Sequence, residues 1–151
     1  MAEPTLFDKI IAREIPALFV WEDEQYAAFL TPFANTPGVT VVVPKVNPGD
    51  YVFDLSDEQI AGLMQAAKKV ARKLQGALGV ERVAAVFEGE AVPHVHVKLY
   101  PMHNMHQDRQ SPEKAFFTSY PGYITTQEGP KMDDAQLAAI QKKIVEATDE
   151  N

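Results

Sequence analysis

One stretch of the sequence, residues 92–101, restricts the possible folds more than any other. Polar and apolar residues alternate strictly from His94 to Leu99, which is the period of a β-strand with one face in the core. Side chains at every second position of a strand share a face, about 7 Å apart. We therefore predict one apolar face and one face of nitrogen-bearing side chains suited to a phosphate. The apolar face consists of Val95, Val97 and Leu99, and the polar face of His94, His96 and Lys98.

A long amphipathic helix is predicted upstream of this strand. Ser56 and Gln59 form the capping-box pattern that starts a helix, and Gly79 is the residue type that ends one. Apolar residues between them recur with the helical period, whereas the opposite side is basic, as is typical of a solvent-exposed helix face. The apolar side consists of Ile60, Leu63, Met64, Ala67, Val70, Ala71, Leu74 and Leu78, and the basic side of Lys68, Lys69, Arg72 and Lys73.

Shorter elements are predicted on both sides of that helix. Thr5 with Asp8 indicates a helix start, and Asp133 with Gln136 indicates the start of a final helix. The resulting order is helix, strands, long helix, strands and tail helix. It predicts a single domain of the α+β class, in which helices pack on a mainly antiparallel sheet. Strands are predicted at residues 18–22, 26–30, 39–43, 82–87 and 94–100.

Charge and composition exclude several classes of function. The net charge of −7 argues against nonspecific binding to nucleic acid, although one local cationic pocket is compatible with a small phosphorylated ligand. The sequence has no cysteine, which excludes disulfides, thiol catalysis and cysteine-bound zinc. It shows neither a signal-peptide pattern nor a long apolar run, so we expect a cytoplasmic protein without a membrane partner.

Five blocks of the sequence carry a resemblance to a known family. The last block contains His-Val-His-Val-Lys at residues 94–98, close to the pattern His-φ-His-φ-His-φ-φ, in which φ is apolar. In their order, the blocks resemble the histidine triad (HIT) superfamily of nucleotide hydrolases and transferases. The resemblance implies a HIT-like fold over residues 7–101 and a variable C-terminal extension over residues 102–151. The other blocks are residues 7–16, 20–30, 37–45 and 54–58.

This resemblance implies an enzyme that uses His96 as a nucleophile. The ring would attack the α-phosphorus of a nucleotide phosphoramidate or dinucleoside polyphosphate, and water or another acceptor would release the nucleotide from the nucleotidyl-histidine. A neutral imidazole is nucleophilic at pH 7, and a carbonyl behind the ring can fix its tautomer. His94 and Lys98 would flank the phosphoryl group, with backbone N–H groups of Gly89 and Ala91 nearby. This chemistry requires no cofactor and no metal.

The resemblance also implies where the nucleotide base binds and how the chain associates. The base would lie between the first helix and the second strand region, where the candidate residues are mainly apolar. Relatives often carry an acidic residue that holds the ribose hydroxyls, and Thr31 stands at that position here. Relatives usually form homodimers through the long helix and a strand near the end of the sheet. The candidate nucleotide-binding residues are Phe7, Ile10, Phe29, Leu30, Thr31 and Val41.

Four positions depart from the family pattern. Lys98 replaces the third histidine, and Val39 replaces a histidine that usually faces the phosphate. Glu90 replaces a glutamine, and Ala91 stands where some members have serine or threonine. Lys98 still provides a fixed positive charge for a phosphoryl transition state. Glu90 has three interpretations: a partner for Lys98, an acid that protonates the leaving group, or a solvated side chain.

Three functions therefore remain open on the sequence. The first is the nucleotide hydrolase or nucleotidyltransferase described above. The second is a catalytically weak or inactive nucleotide-binding module, because Val39 and Lys98 replace histidines. The third is a metal site in which His103 or His106 joins the two histidines of the strand.

Overall fold

The computed structural model describes residues 3–107, 113–126 and 130–146. Two compact units are present, Met1–Gln107 and Asp108–Asn151. Helices and strands occur together in the first unit, which confirms the predicted α+β class. In chain order the elements are α1 (Leu6–Ile11), β1 (Phe19–Glu22), β2 (Tyr26–Leu30), β3 (Thr40–Pro44), a 3-10 turn (Val52–Asp54), α2 (Asp57–Leu78), β4 (Val83–Glu88), β5 (His96–Pro101) and, in the second unit, α3 (Asp134–Glu146).

The strands form one five-stranded sheet in the order β1-β2-β3-β5-β4. All four pairings are antiparallel, as the sequence predicted. β3 is buried along its whole length, and β5 lies between β3 and β4. The register places His96 opposite Glu88 and Lys98 opposite Val41. Because directly paired residues project to the same face of a sheet, these four side chains share one face.

The two faces of the sheet are covered by different helices. α2 packs on one face, where Leu63 and Val70 join Val97 in an apolar cluster. α1 contributes to a smaller cluster, in which Phe7 packs with Phe29 and other apolar residues. The alternation predicted for β5 therefore separates an apolar face under α2 from the polar face beside α1.

Both predicted capping boxes are present. Thr5 and Asp8 exchange side-chain and backbone hydrogen bonds at the start of α1, and Ser56 and Gln59 do so at the start of α2. α2 ends at Gly79 in the left-handed conformation, with φ of 64°, which glycine adopts without steric cost. Local sequence signals thus define the ends of the longest helix correctly.

The turn that precedes β5 differs from the prediction. The strand begins at His96 rather than at His94, which lies in a bend. Gly89 is buried, and a Cβ atom there would overlap the backbone carbonyl of Asp50. Val95 N–H donates to Gly49 O at 2.8 Å, so the turn is held against the loop that follows β3. His94, which directly precedes this contact, lies outside the β-ladder and is fully buried.

Among the described helices, none is both long and apolar enough to cross a membrane. The cytoplasmic location and the absence of membrane and nucleic-acid partners stay predictions.

Candidate active site

His96 has one ring nitrogen bound and one available. The side chain is 2% exposed, and its Nδ1–H donates to the main-chain oxygen of His94 at 2.8 Å. A carbonyl oxygen can only accept, so the proton of the neutral ring lies on Nδ1. The tautomer-fixing carbonyl predicted from the sequence is therefore that of His94. Nε2 keeps its lone pair, which is the requirement for a nitrogen nucleophile.

The ring of His94 is bound at both nitrogens. Nε2–H donates to Pro44 O at 2.7 Å, and Nδ1 lies 3.2 Å from Thr5 Oγ1. The side chain is 0% exposed. This geometry contradicts the expectation that His94 flanks the phosphoryl group, because neither ring nitrogen faces a site that a ligand can reach. His94 acts on the site through its main-chain carbonyl instead.

A carboxylate that the sequence analysis missed lies beside His96. Glu88 Oε2 is 3.6 Å from His96 Nε2 and 2.7 Å from Lys98 Nζ. The side chains of Glu88 and Lys98 are each 32% exposed, so solvent screens their pairing. The feature that identifies Glu88 as a site residue is the register of the β4–β5 hairpin, in which the last residue of β4 lies opposite His96. The site thus combines an unprotonated nitrogen, a carboxylate and an ammonium group.

Glu90, a candidate catalytic residue from the sequence, lies on the turn after β4 and away from Lys98. Its side chain is exposed, and Glu88 is the carboxylate that contacts Lys98. β4 ends at Glu88, and the buried Gly89 then turns the chain against Asp50. Of the three interpretations of Glu90, pairing with Lys98 is not observed, and the exposed position agrees with a solvated side chain. Ala91 is exposed on the same turn.

Burial keeps both histidine rings neutral. It lowers the pKa of His96, and the hydrogen bond to His94 and the charge of Glu88 only partly oppose this effect. Burial also lowers the pKa of His94, with partial opposition from the hydrogen bond to Pro44 and from Asp8. Because free histidine has a pKa of about 6.5, a lowered value leaves the imidazole unprotonated at pH 7.

Four of the six predicted base-site residues share one cluster, and Phe7 of that cluster contacts His96. The rings of Phe7 and His96 meet edge to face, with centroids 4.9 Å apart. Phe7, Ile10, Phe29 and Val41 share one buried cluster, so they are core residues first. Leu30 and Thr31 are half-buried at the end of β2.

Val39, which replaces a histidine of the family pattern, is 2% exposed and belongs to the apolar interior.

The metal site considered from the sequence is not assembled. His103 Nε2–H donates to Pro37 O at 2.8 Å, and His106 Nε2 lies 3.1 Å from both carboxylate oxygens of Glu81. Each of these histidines is therefore engaged apart from His96. Within residues 3–107, 113–126 and 130–146, no group of three or more His, Cys, Asp or Glu side chains is placed to hold a metal ion.

Comparison with known proteins gives consistent matches. Residues 12–105 match the family model of the HIT domain. Protein hit of Bacillus subtilis (strain 168) is 34% identical over 105 residues, which cover 66% of this chain and 72% of the relative. Adenylylsulfatase HINT1 of Arabidopsis thaliana is 34% identical over 104 residues, which cover 64% of this chain and 69% of that protein. A crystal structure from Streptococcus mutans UA159 aligns with a TM-score of 0.65 at 29% identity, covering 97% of this chain and 88% of that chain.

Proposed function

The chain belongs to the HIT domain family, and from that membership we propose a nucleotide hydrolase or nucleotidyltransferase whose nucleophile is His96. Membership supports a hydrolase and nucleotide-binding function at the level of the family. We propose as substrate a nucleotide phosphoramidate or a dinucleoside polyphosphate, attacked at the α-phosphorus. The observation that carries the proposal is the His96–His94 hydrogen bond, which leaves Nε2 unprotonated beside the Glu88–Lys98 pair.

The proposed reaction has two steps. In the first, the Nε2 lone pair of His96 forms a bond to the α-phosphorus, and the bond to the leaving group breaks with its electron pair. A leaving amine takes up a proton from water as this bond breaks, whereas a leaving phosphate departs as an anion. Nδ1 keeps its proton, so the nucleotidylated ring is cationic and donates a stronger hydrogen bond to the His94 carbonyl. In the second step, water attacks phosphorus, loses a proton to solvent and returns the electron pair to Nε2. The product is a nucleoside monophosphate.

Lys98 and Glu88 have complementary proposed roles. The Lys98 ammonium group neutralises the non-bridging phosphoryl oxygens as charge develops on them. Glu88 holds Lys98 beside His96 through the 2.7 Å ion pair, and its negative charge favours the cationic ring of the intermediate. This pair takes the place of the third histidine in the family pattern.

The base and ribose are proposed to bind beside α1 and the end of β2. Phe7 lies against His96 and Phe29, so its largely buried ring marks the apolar wall nearest the nucleophile. Thr31, at the end of β2, is the proposed ribose contact. The Arabidopsis relative is named an adenylylsulfatase, which supports an adenylyl group as the first substrate to test.

Mass spectrometry of the intact protein tests this function directly. Wild type and His96→Ala are mixed with an adenosine phosphoramidate or a diadenosine polyphosphate, and released AMP is assayed in the same tubes. We expect AMP release and a transient adenylyl adduct from wild type, and a loss of both by about a thousandfold or more in His96→Ala.

The same experiment identifies the alternative function. Nucleotide binding by wild type, without adduct or AMP over hours, would indicate a binding module that has lost turnover. Full activity of His96→Ala would contradict the proposed nucleophile.

We further propose that the chain forms a homodimer through α2 and β4. β4 is at the edge of the sheet, and Ala84 and Ala85 on it are exposed, as is Met64 on α2. An unpaired strand edge beside an apolar helix residue is a surface that a second copy can cover.

Light scattering gives the mass in solution, and Ala85→Lys should shift the dimer to monomer. A monomeric wild type would contradict this proposal.

A further inference from the structure

The side chain that caps α1 also contacts the ring of His94. Thr5 Oγ1 accepts the backbone N–H of Asp8 at 3.1 Å, which is the capping bond, and it lies 3.2 Å from His94 Nδ1. Thr5 is 9% exposed and His94 is fully buried. The contact joins residues 89 positions apart in the sequence, so it links the first helix to the segment that carries the nucleophile.

The hydrogen bonds around His94 determine the direction of this contact. Pro44 O can only accept, so Nε2 of His94 carries the ring proton. A neutral ring then presents an unprotonated Nδ1, which needs a donor because it is buried. The Thr5 hydroxyl lies within hydrogen-bond distance of Nδ1, at 3.2 Å, and Asp8 Oδ1 lies farther away, at 3.6 Å. The same hydroxyl can donate to Asp8 Oδ2 at 2.9 Å, but that oxygen also accepts the Thr5 backbone N–H at 2.8 Å. When the hydroxyl proton turns to His94, the His94 Nδ1 atom gains a donor. Asp8 Oδ2 still accepts the Thr5 backbone N–H, so neither acceptor is left without a hydrogen bond.

Phe7, which lies on α1 like Asp8, packs against the rings of both His94 and His96. Its ring meets the His94 ring at 5.9 Å and the His96 ring at 4.9 Å, both edge to face. The ring of His94 is thus held by Thr5, Phe7 and Pro44, and little freedom remains for its backbone. The His94 carbonyl then stays directed at His96 Nδ1, at 2.8 Å.

We propose that Thr5 is a positioning residue that acts on His96 through His94. Its hydroxyl donates to His94 Nδ1 and fixes that ring, and the main-chain carbonyl of His94 then holds His96 in the tautomer with Nε2 free. The inference deepens the proposed function and rests on it for its effect on turnover. Because Phe7 is also a proposed base contact, α1 connects nucleotide binding with the orientation of the nucleophile.

Three variants separate this role from helix capping. Thr5→Val removes the hydroxyl and keeps the shape, whereas Thr5→Ser keeps the hydroxyl. Ser56→Ala removes the same kind of capping hydroxyl from α2, where Ser56 is exposed and bonds to Gln59. The melting temperature, the steady-state release of AMP and the ¹H–¹⁵N correlations of the histidine rings are measured for each protein.

We expect Thr5→Val and Ser56→Ala to lower the melting temperature by similar amounts, because each loses a cap. Thr5→Val should also reduce kcat by about tenfold with little change in KM, since only the fraction of His96 in the correct tautomer reacts. Its His96 ring signals should move toward a mixture of tautomers. Thr5→Ser should retain the wild-type ring signals and kcat, and so should Ser56→Ala.

The ring signals decide the inference independently of activity. If Thr5→Val leaves them and kcat unchanged, as Ser56→Ala does, Thr5 only caps the helix and the inference is wrong. If wild type shows no turnover, the proposed function fails, and the tautomers still show whether Thr5 controls His96. Should Thr5→Val not fold, the wild-type spectrum suffices. His94 with its proton on Nδ1 at pH 7 would overturn the inference, and His94 with its proton on Nε2 would support it.

Discussion

The two faces of the sheet are built on different principles. Under α2, apolar side chains such as Val42, Val97 and Leu63 form the buried cluster. The buried Thr40 on the same face satisfies its hydroxyl locally, by donating to Gly38 O at 2.9 Å. Beside α1, apolar side chains surround two buried histidines, and each imidazole is bound by specific protein atoms. The first face depends mainly on the fit of apolar side chains, whereas the second depends on hydrogen bonds between buried imidazoles and residues distant in the sequence. Substitutions on the first face should therefore change mainly the free energy of unfolding, and substitutions on the second face should change mainly kcat.

The largest effect on stability is expected under α2. Leu63 is 0% exposed in the apolar cluster, so Leu63→Ala should lower the free energy of unfolding by about 3 kcal/mol through lost burial and a cavity. Urea titration measures the loss. AMP release per folded molecule should stay near the wild-type value, and a drop in kcat comparable to that of a site variant would contradict the separation of the two faces.

Lys98 should show the opposite behaviour. Lys98→Ala removes the proposed charge on the phosphoryl oxygens, and we expect kcat to fall by about a hundredfold. Its unfolding free energy should change little, because the ion pair with Glu88 is partly exposed. Lys98→Arg keeps the charge and should recover part of kcat. Equal activities of the Ala and Arg variants would show that the charge at position 98 is not used.

Glu88 and Glu90 form a matched pair for a sharper test. Glu88→Gln removes the carboxylate beside His96 and Lys98, and we expect kcat to fall by about tenfold. Glu90→Gln changes an exposed side chain on the adjoining turn and should have less than about a twofold effect. Steady-state AMP release compares them. A larger loss in Glu90→Gln would favour the interpretation of Glu90 as the acid that protonates the leaving group.

The smallest effect concerns pH. Burial lowers the pKa of His94 and His96 in the folded protein below that of the unfolded chain. The unfolded state then binds more protons below pH 6.5, so stability is fully present above that pH and decreases as the pH falls through the folded pKa values. Asp8, Glu88 and Lys98 are the charged groups that act on these rings. Urea titrations at pH 7 and pH 5 should show the decrease, and His96→Gln should show a smaller one. Equal stability of wild type at both pH values would contradict it.

The sequence predicts the apolar face better than the functional one. Periodicity and capping signals are local, so they define α2 from Ser56 to Gly79 and the alternation of Val97 and Leu99. The family resemblance places His96 and Lys98 together on one strand. The partners of His94 could not be found in this way, because Thr5 and Pro44 lie 89 and 50 positions away.

Glu88 was missed for a related reason. Its position opposite His96 depends on the register of the β4–β5 pairing, which the packing of Gly89 against Asp50 helps to set. The residue pattern indicates which face of each strand is buried, but the turn geometry fixes which residues of a hairpin lie opposite each other. The identity of the carboxylate at the site therefore required the three-dimensional structure.

The strand order also bears on how the chain is made. β3 pairs with β2, which precedes it closely, and with β5, which follows more than fifty residues later. During synthesis, β3 is therefore an open edge until residue 101 has left the ribosome, although all its residues are buried in the finished fold. Open apolar edges favour association between unfinished chains. We expect truncated chains that end before β5 to aggregate once they leave the ribosome. The strand that covers this edge is β5, which begins at the site residue His96.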